Sequence, residues 1–423
     1  MTETVPPGHS GRPAGPRHRG ASVAVAMAVM NLAAYAFTAI AARLLGPQDY
    51  GALASLMALL LVIAVLQLGL QTAAARRISA DPAQVAQIER EILSLTYRVA
   101  GGVGVGLLLL TPVINSLLRL DNLAAASLVA LCAVPLTITG GQLGVLQGER
   151  RWWPVAMIYV ATGVPKLAVG TALMLWHPTE LNALVGVFVG AIAPVLLGAY
   201  ALRRKRTSEQ DSSRHSTRPV AREVLANAQA LLAFLSLINC DVILARNVLD
   251  EHEAGLYAGG LILTKAMLFL PQFVVVVAFP SMSTAHQRRQ ALVRGLALIV
   301  ALGAVGVLAC AALPRLALVF VGGPDYAAIQ GRLWLFAVLG TVLSLLQLLV
   351  YAVLARRGTR SVYLVWGTLV VLVAAGSQAT SVTGLLVVVT AVDTVLFVAL
   401  LAASLVRLRK PVEDQAPPPE AVM

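Results

Sequence analysis

Twelve times along this chain a run of predominantly apolar residues continues long enough to cross a bilayer before a short polar break, and this succession limits the fold more than any other feature. A helix needs about 20 apolar residues to span a hydrocarbon core roughly 30 Å thick, so each run reads as one crossing. The runs fall at 21–45, 52–75, 92–117, 123–147, 154–176, 182–203, 226–249, 255–281, 291–314, 331–355, 361–376 and 382–406, with only Gly376 to Ser381 between the last two. Hydrophobic residues make up 58% of the chain, charged ones 12%, and mean hydropathy is +0.80, values that a soluble domain of 423 residues could not sustain. The predicted class is an all-α polytopic membrane protein. The first run could be a signal peptide behind Arg12, Arg17 and Arg19, but it exceeds the 7 to 15 apolar residues typical of one, so it reads as the first membrane helix.

A second pattern divides the twelve runs. ARLLGPQDYG, Ala42 to Gly51, closes the first run and opens the second, and a related stretch, ARNVLDEHEAG, Ala245 to Gly255, closes the seventh. Arg43 and Arg246 lie 203 positions apart. Around Pro112 and Pro314 LTPVINSLLRL resembles ALPRLALVF at an offset of 202, and LGVLQGERR resembles LVYAVLARR at 206. Offsets this constant point to an internal duplication. The expected organisation is a polar tail at 1–20, a lobe of six helices at 21–203, a basic linker at 204–225, a second lobe at 226–406 and a tail at 407–423.

Charge placement orients the repeat. A net charge of +12 could mark a nucleic-acid partner, but the cations sit between runs on alternate sides. With the N-terminus inside, inner segments hold 24 of the 32 Lys and Arg and outer ends hold 5. Excess cations mark cytoplasmic loops, so both termini and the linker are expected in the cytoplasm, with the chain in the cytoplasmic membrane. Six crossings per half give the halves the same orientation, a parallel repeat. Cys132, Cys240 and Cys310 lie inside runs without CxxC spacing or neighbouring His, so neither disulfide, metal nor cofactor is expected.

Ionisable groups inside hydrocarbon need a partner or a water-filled cavity. Lys166, Asp241, Lys265 and Asp393 lie well inside their runs. Polar neighbours at helical spacing extend them into stripes: Tyr159, Thr162 and Lys166; Lys265 and Gln272; Thr383, Thr390 and Asp393. Asn31, Tyr35 and Thr38 mark the first helix, Gln67 and Gln71 the second, and Ser344, Gln347 and Tyr351 the tenth. Such stripes either line a cavity or bond helices together. Asp241 and Lys265 fall at depths that a lysine side chain could bridge, which allows an ion pair. Asn239 and Asp241 face opposite sides of a regular helix, whereas Asn239 and Arg246 share a side, and the sequence leaves open which side lines a cavity.

Enzyme readings fare poorly, because no loop beyond the linker could hold paired carboxylates or a metal cluster, and the longest outer connection contains only Asp325. The duplicated stretch has its own turn chemistry: Gly46 and Pro47 separate two helices, and Asp250 with Glu253 has capping-box spacing.

ARLLGPQDYGALASLMALLLVIAVLQLGLQTAAARR in the first half, and NCDVILARNVLDEHEAGLYAGGLILTKAMLFLPQFVVVVAFPSM in the second, resemble the polysaccharide-transporter (oligosaccharide flippase) branch of the multidrug/oligosaccharidyl-lipid/polysaccharide (MOP) exporter superfamily. The resemblance implies a MATE-like fold of two six-helix lobes around a cavity lined mainly by helices one, two, seven and eight. It implies a flippase for polyprenyl-diphosphate-linked oligosaccharide working by alternating access among membrane lipids, with a polysaccharide polymerase or ligase as a further partner. Arg43 and Arg246 would flank the outer mouth and Lys265 would contact the diphosphate, with Gln272 on the same stripe. Lys166 lies outside the implied lining set. The drug-exporting branch commonly carries an acid in the first or seventh helix; here Asn31 stands without an acid in the first, and Asp241 is the seventh-helix candidate. Antiport of organic cations through Asp241, and a non-transporting scaffold of envelope synthesis, are the alternatives.

Overall fold

Gly46 bends the first element. In the computed structural model, which describes residues 16–120, 122–203, 217–269, 285–354 and 359–409, α1 runs from Pro16 to Ala80. At about 1.5 Å per residue it is roughly three times as long as a bilayer core is thick, so it holds two crossings. They meet at Gly46, whose φ of 73° and ψ of 177° are not helical. A Cβ there would touch nothing within 4 Å, so the glycine is required by conformation rather than by space.

The chain continues through α2 (Val85–Leu109), α3 (Thr111–Leu117), α4 (Leu123–Gly148), α5 (Trp152–Trp176) and α6 (Glu180–Leu202). The second half comprises α7 (Thr217–Val248), α8 (Glu251–Met267), α9 (Ala285–Ala312), α10 (Pro314–Val321), a 3-10 turn at Pro324–Arg332, α11 (Leu333–Leu354), α12 (Thr359–Gly376) and α13 (Val382–Arg409). Among the described residues nine helices are long and apolar enough to cross a membrane, the first of them the doubled α1; Val362–Gly376 is a shorter apolar helix.

Two details differ from the expected runs. The third run breaks at Leu110 and the ninth after Ala312, because Pro112 and Pro314 open short new helices, where a missing N–H is tolerated. Helix also begins at Pro16 and Thr217 and continues to Arg409, beyond the expected runs. The rest of the expected tails and linker, 1–15, 204–216 and 410–423, lies outside the described residues, as does Gln272.

Packing repeats between the halves. The first part of α1 packs on α5 as α7 packs on α12, and the second part packs on α4 as α8 packs on α11. The pairs α2 with α4, α4 with α6 and α5 with α6 recur as α9 with α11, α11 with α13 and α12 with α13. Gly140, Gly144 and Gly148, one turn apart on α4, let its backbone meet Gln67, Gln71 and Ile78 of α1 closely. One contiguous set of buried apolar side chains, from Phe37 to Leu400, runs through both halves. The outside is apolar too: Leu109, Val305, Val370 and Val395 are exposed, as lipid-facing residues must be. Trp153 and Trp176, exposed at the two ends of α5, are about 35 Å apart at 1.5 Å per residue, the spacing of two membrane interfaces.

Candidate functional site

Between the halves lies a cavity of about 180 Å³. From α1 it is lined by Ala34, Tyr35, Phe37, Thr38, Tyr50, Leu53, Ala54, Met57 and Leu61, from α5 by Lys166, and from the other half by Ile262, Lys265 and Phe269. Two of the four ionisable groups singled out inside apolar runs therefore meet in one space, each presented by a different half. None of the described lining residues is acidic. Lys166 sits with its Nζ 5.0 Å from the centroid of the Phe37 ring, a cation–π contact that partly replaces hydration. Across the cavity the Tyr35 and Phe269 rings meet edge-on, with centroids 6.4 Å apart. Thr38 spends its hydroxyl on Ala34 O at 2.9 Å, one turn back in its own helix.

The acids go elsewhere. Asp241 is 3% exposed inside the second half, where Tyr257 donates its hydroxyl to Oδ2 at 3.1 Å and the Val242 N–H donates to Oδ1 at 2.8 Å. It makes no ion pair with Lys265 within 4 Å in this structure; Tyr257, one helix over, takes the place that arithmetic on depth had allowed the lysine. Asp393 on α13 is 1% exposed, and its Oδ1 has no hydrogen-bond partner among the described residues.

Arg246 does not enter the cavity either. Its Nε donates to Leu118 O at 3.0 Å and its Nη2 to Arg119 O, both at the end of α3 in the other half. Arg43, its counterpart, is exposed. Asn239 is buried and donates to Leu235 O in its own helix. Among the described residues α7 contributes none to the cavity lining: Asp241 points into its own half and Arg246 reaches the opposite one.

Other described stripe residues hold helices together or lie away from the lining. Gln71 donates to Tyr159 Oη at 3.3 Å, as does Gln147 at 3.2 Å, joining α1, α4 and α5. Gln67 packs its backbone on Gly140, and Asn31 and Gln347 are half-buried outside the cavity lining. Ser344 donates to Met267 O at 2.7 Å, tying α11 to the end of α8. Phe37, Tyr50 and Phe269 belong to the site without having been singled out. Phe269 follows Lys265 by four residues, one turn along, which was a usable signal; Phe37 carried none.

A family model of polysaccharide biosynthesis proteins matches residues 18–286, more than half of the chain. The chain belongs to this polysaccharide biosynthesis family. No curated protein matches the sequence significantly. Among solved structures, an inward-facing multidrug resistance MATE family transporter of the MOP superfamily is similar with TM-score 0.68 and 14% identity, over 91% of this chain and 98% of its own. An outward-facing structure of such a transporter gives 0.64 and 14%, over 93% and 96%. A MOP superfamily transporter from Pyrococcus furiosus Vc1 gives 0.64 and 15%, also over 93% and 96%. Family and fold together make this chain a multi-pass membrane protein of the polysaccharide biosynthesis family, with the MATE-like fold that the sequence led one to expect.

Proposed function

We propose that this exporter moves a polyprenyl-diphosphate-linked oligosaccharide across the cytoplasmic membrane by alternating access, with both termini in the cytoplasm, for use by a polymerase or ligase. The observation that carries the reading is the sign of the cavity. Lys166 and Lys265 enter it from opposite halves and no described lining residue is acidic. A diphosphate cannot cross hydrocarbon bare, because its hydration must be replaced; two fixed ammonium groups supply that replacement. Aromatic rings beside the lysines offer faces on which a sugar can stack. The polyprenyl tail stays in lipid while the head crosses. The Pyrococcus furiosus transporter is described as having a binding pocket of reversed polarity that suggests a different function.

In this reading Lys166 and Lys265 are the anion contacts and Arg43 stands at the outer rim. Asp241 and Asp393 are placed to take up the coupling cation, away from the substrate. Gln272 keeps its proposed substrate role from its place on the Lys265 stripe. Export of surface polysaccharide should fall by tenfold or more in Lys265→Ala, because loss of one charge-assisted contact costs about 1.5 to 3 kcal/mol. Undiminished export would remove the headgroup role.

Antiport of organic cations is the second reading, and one observation favours it: the unpartnered Oδ1 of buried Asp393. It predicts drug resistance that depends on Asp241 and Asp393 and is indifferent to both lysines.

A further inference from the structure

The end of α3 offers three backbone carbonyls in succession. Arg119 has a φ of 47°, and this left-handed residue turns the chain sharply after Leu117. The N–H groups of Arg119 and Leu120 fold back onto Ser116 O and Asn115 O, which leaves the carbonyls of Leu117, Leu118 and Arg119 pointing away from the helix. The C-terminal end of a helix carries partial negative charge, and its last carbonyls need donors. In most proteins those donors come from water or from the same chain segment. Here they come from α7, in the opposite half. Arg246 donates to Leu118 O at 3.0 Å and to Arg119 O, and Asn247 donates through Nδ2 to Leu117 O at 2.8 Å while also reaching Ile243 O at 2.8 Å. Arg246 is 5% exposed, so this cationic contact is made out of water.

Further contacts between the halves cluster at the same end of the molecule. Gln48 donates to Glu251 through their side chains, and Tyr326, fully buried, donates to Ala42 O at 3.2 Å. Gly51 and Gly255, equivalent positions of the duplicated stretch, meet so closely that a Cβ on Gly255 would lie 1.9 Å from Pro47 O. All of these residues lie near the ends that charge counting assigns to the outside.

From this geometry we infer that Arg246 and Asn247 form the outer latch of the transporter, sealing the cavity from the outside by capping α3 across the two halves, and that outward opening begins with release of these bonds. Polar bonds suit a contact that is made and broken each cycle, since both sides can exchange partners with water once apart. A planar guanidinium spans two adjacent carbonyls as an ammonium cannot. The carbonyls exist whatever side chains α3 carries, so the donor pair holds the specificity of the latch. Arg246 is on this account a positioning residue without contact to cargo.

Spin labels on Ser116 and His252, exposed and on opposite halves, report the separation by pulsed electron paramagnetic resonance in the substrate-free full chain. Wild type should give mainly the short distance. Arg246→Ala combined with Asn247→Ala removes three bonds across the halves and should raise the ratio of long to short distances by about tenfold or more, since one charge-assisted hydrogen bond alone implies that factor. Arg246→Lys should fall between. Should the double variant fail to fold, Asn247→Ala alone, which loses one bond to α3, is read in the same way with a smaller shift. A folded variant with a lowered melting temperature and an unchanged distance distribution would reduce the contact to static glue and overturn the latch. Because no cargo is present, this outcome is independent of whether the lysine cavity takes a diphosphate.

Discussion

The two copies of the duplicated stretch occupy equivalent places and have become different devices. In ARLLGPQDYG the helix continues through a bend at Gly46 and leaves Arg43 exposed. In ARNVLDEHEAG it stops: Asp250 caps α8 by accepting the Glu253 N–H at 2.8 Å, and Arg246 is buried against the end of α3. Duplication preserved the course of the chain, while divergence decided which arginine holds the halves together. The asymmetry also argues against a simple ring of cations at the outer mouth.

Single substitutions can break or sharpen this contrast. The largest effect is expected from Arg246→Ala, which leaves the buried Leu118 carbonyl and that of Arg119 short of a donor and should cost about 3 kcal/mol, read as a fall in melting temperature of the detergent-solubilised protein. Next comes Gly255→Ala, whose new methyl must displace the Pro47 carbonyl; overpacking of this kind costs about 1 to 3 kcal/mol and here should also lengthen the Ser116–His252 distance. Asp250→Ala removes the N-cap of α8 and should cost about 1 kcal/mol. Arg43→Ala should stay within about 0.5 kcal/mol, as exposed sites usually do. Equal losses for Arg43→Ala and Arg246→Ala would erase the distinction between the two copies.

Much of the fold was legible because hydrocarbon imposes a length on every helix, and polar breaks mark the ends. The bend at Gly46 and the capping by Asp250 followed from turn chemistry. Less of the site was legible. Lys166 and Lys265 stood out because an ammonium in an apolar run demands a reason, and the structure brings both to one cavity. Gln71 carried the same kind of polar signal, yet it bonds Tyr159 between helices, since an amide satisfies a neighbouring helix as readily as it lines a cavity. Which partner Asp241 would choose could not be read from depth alone: Lys265 and Tyr257 are both on α8, and only the rotation of the helices selects the tyrosine. Arg246 was found by the duplication, but its target is backbone, and carbonyls leave no trace in a sequence.

Native mass spectrometry of the purified protein tests the central claim most directly, by identifying the lipid that stays bound to wild type and to the Lys166→Ala, Lys265→Ala double variant. A polyprenyl diphosphate carrying sugars should co-purify with wild type and be lost from the double variant. Equal occupancy of that lipid in both proteins, or an organic cation in its place, would contradict the account.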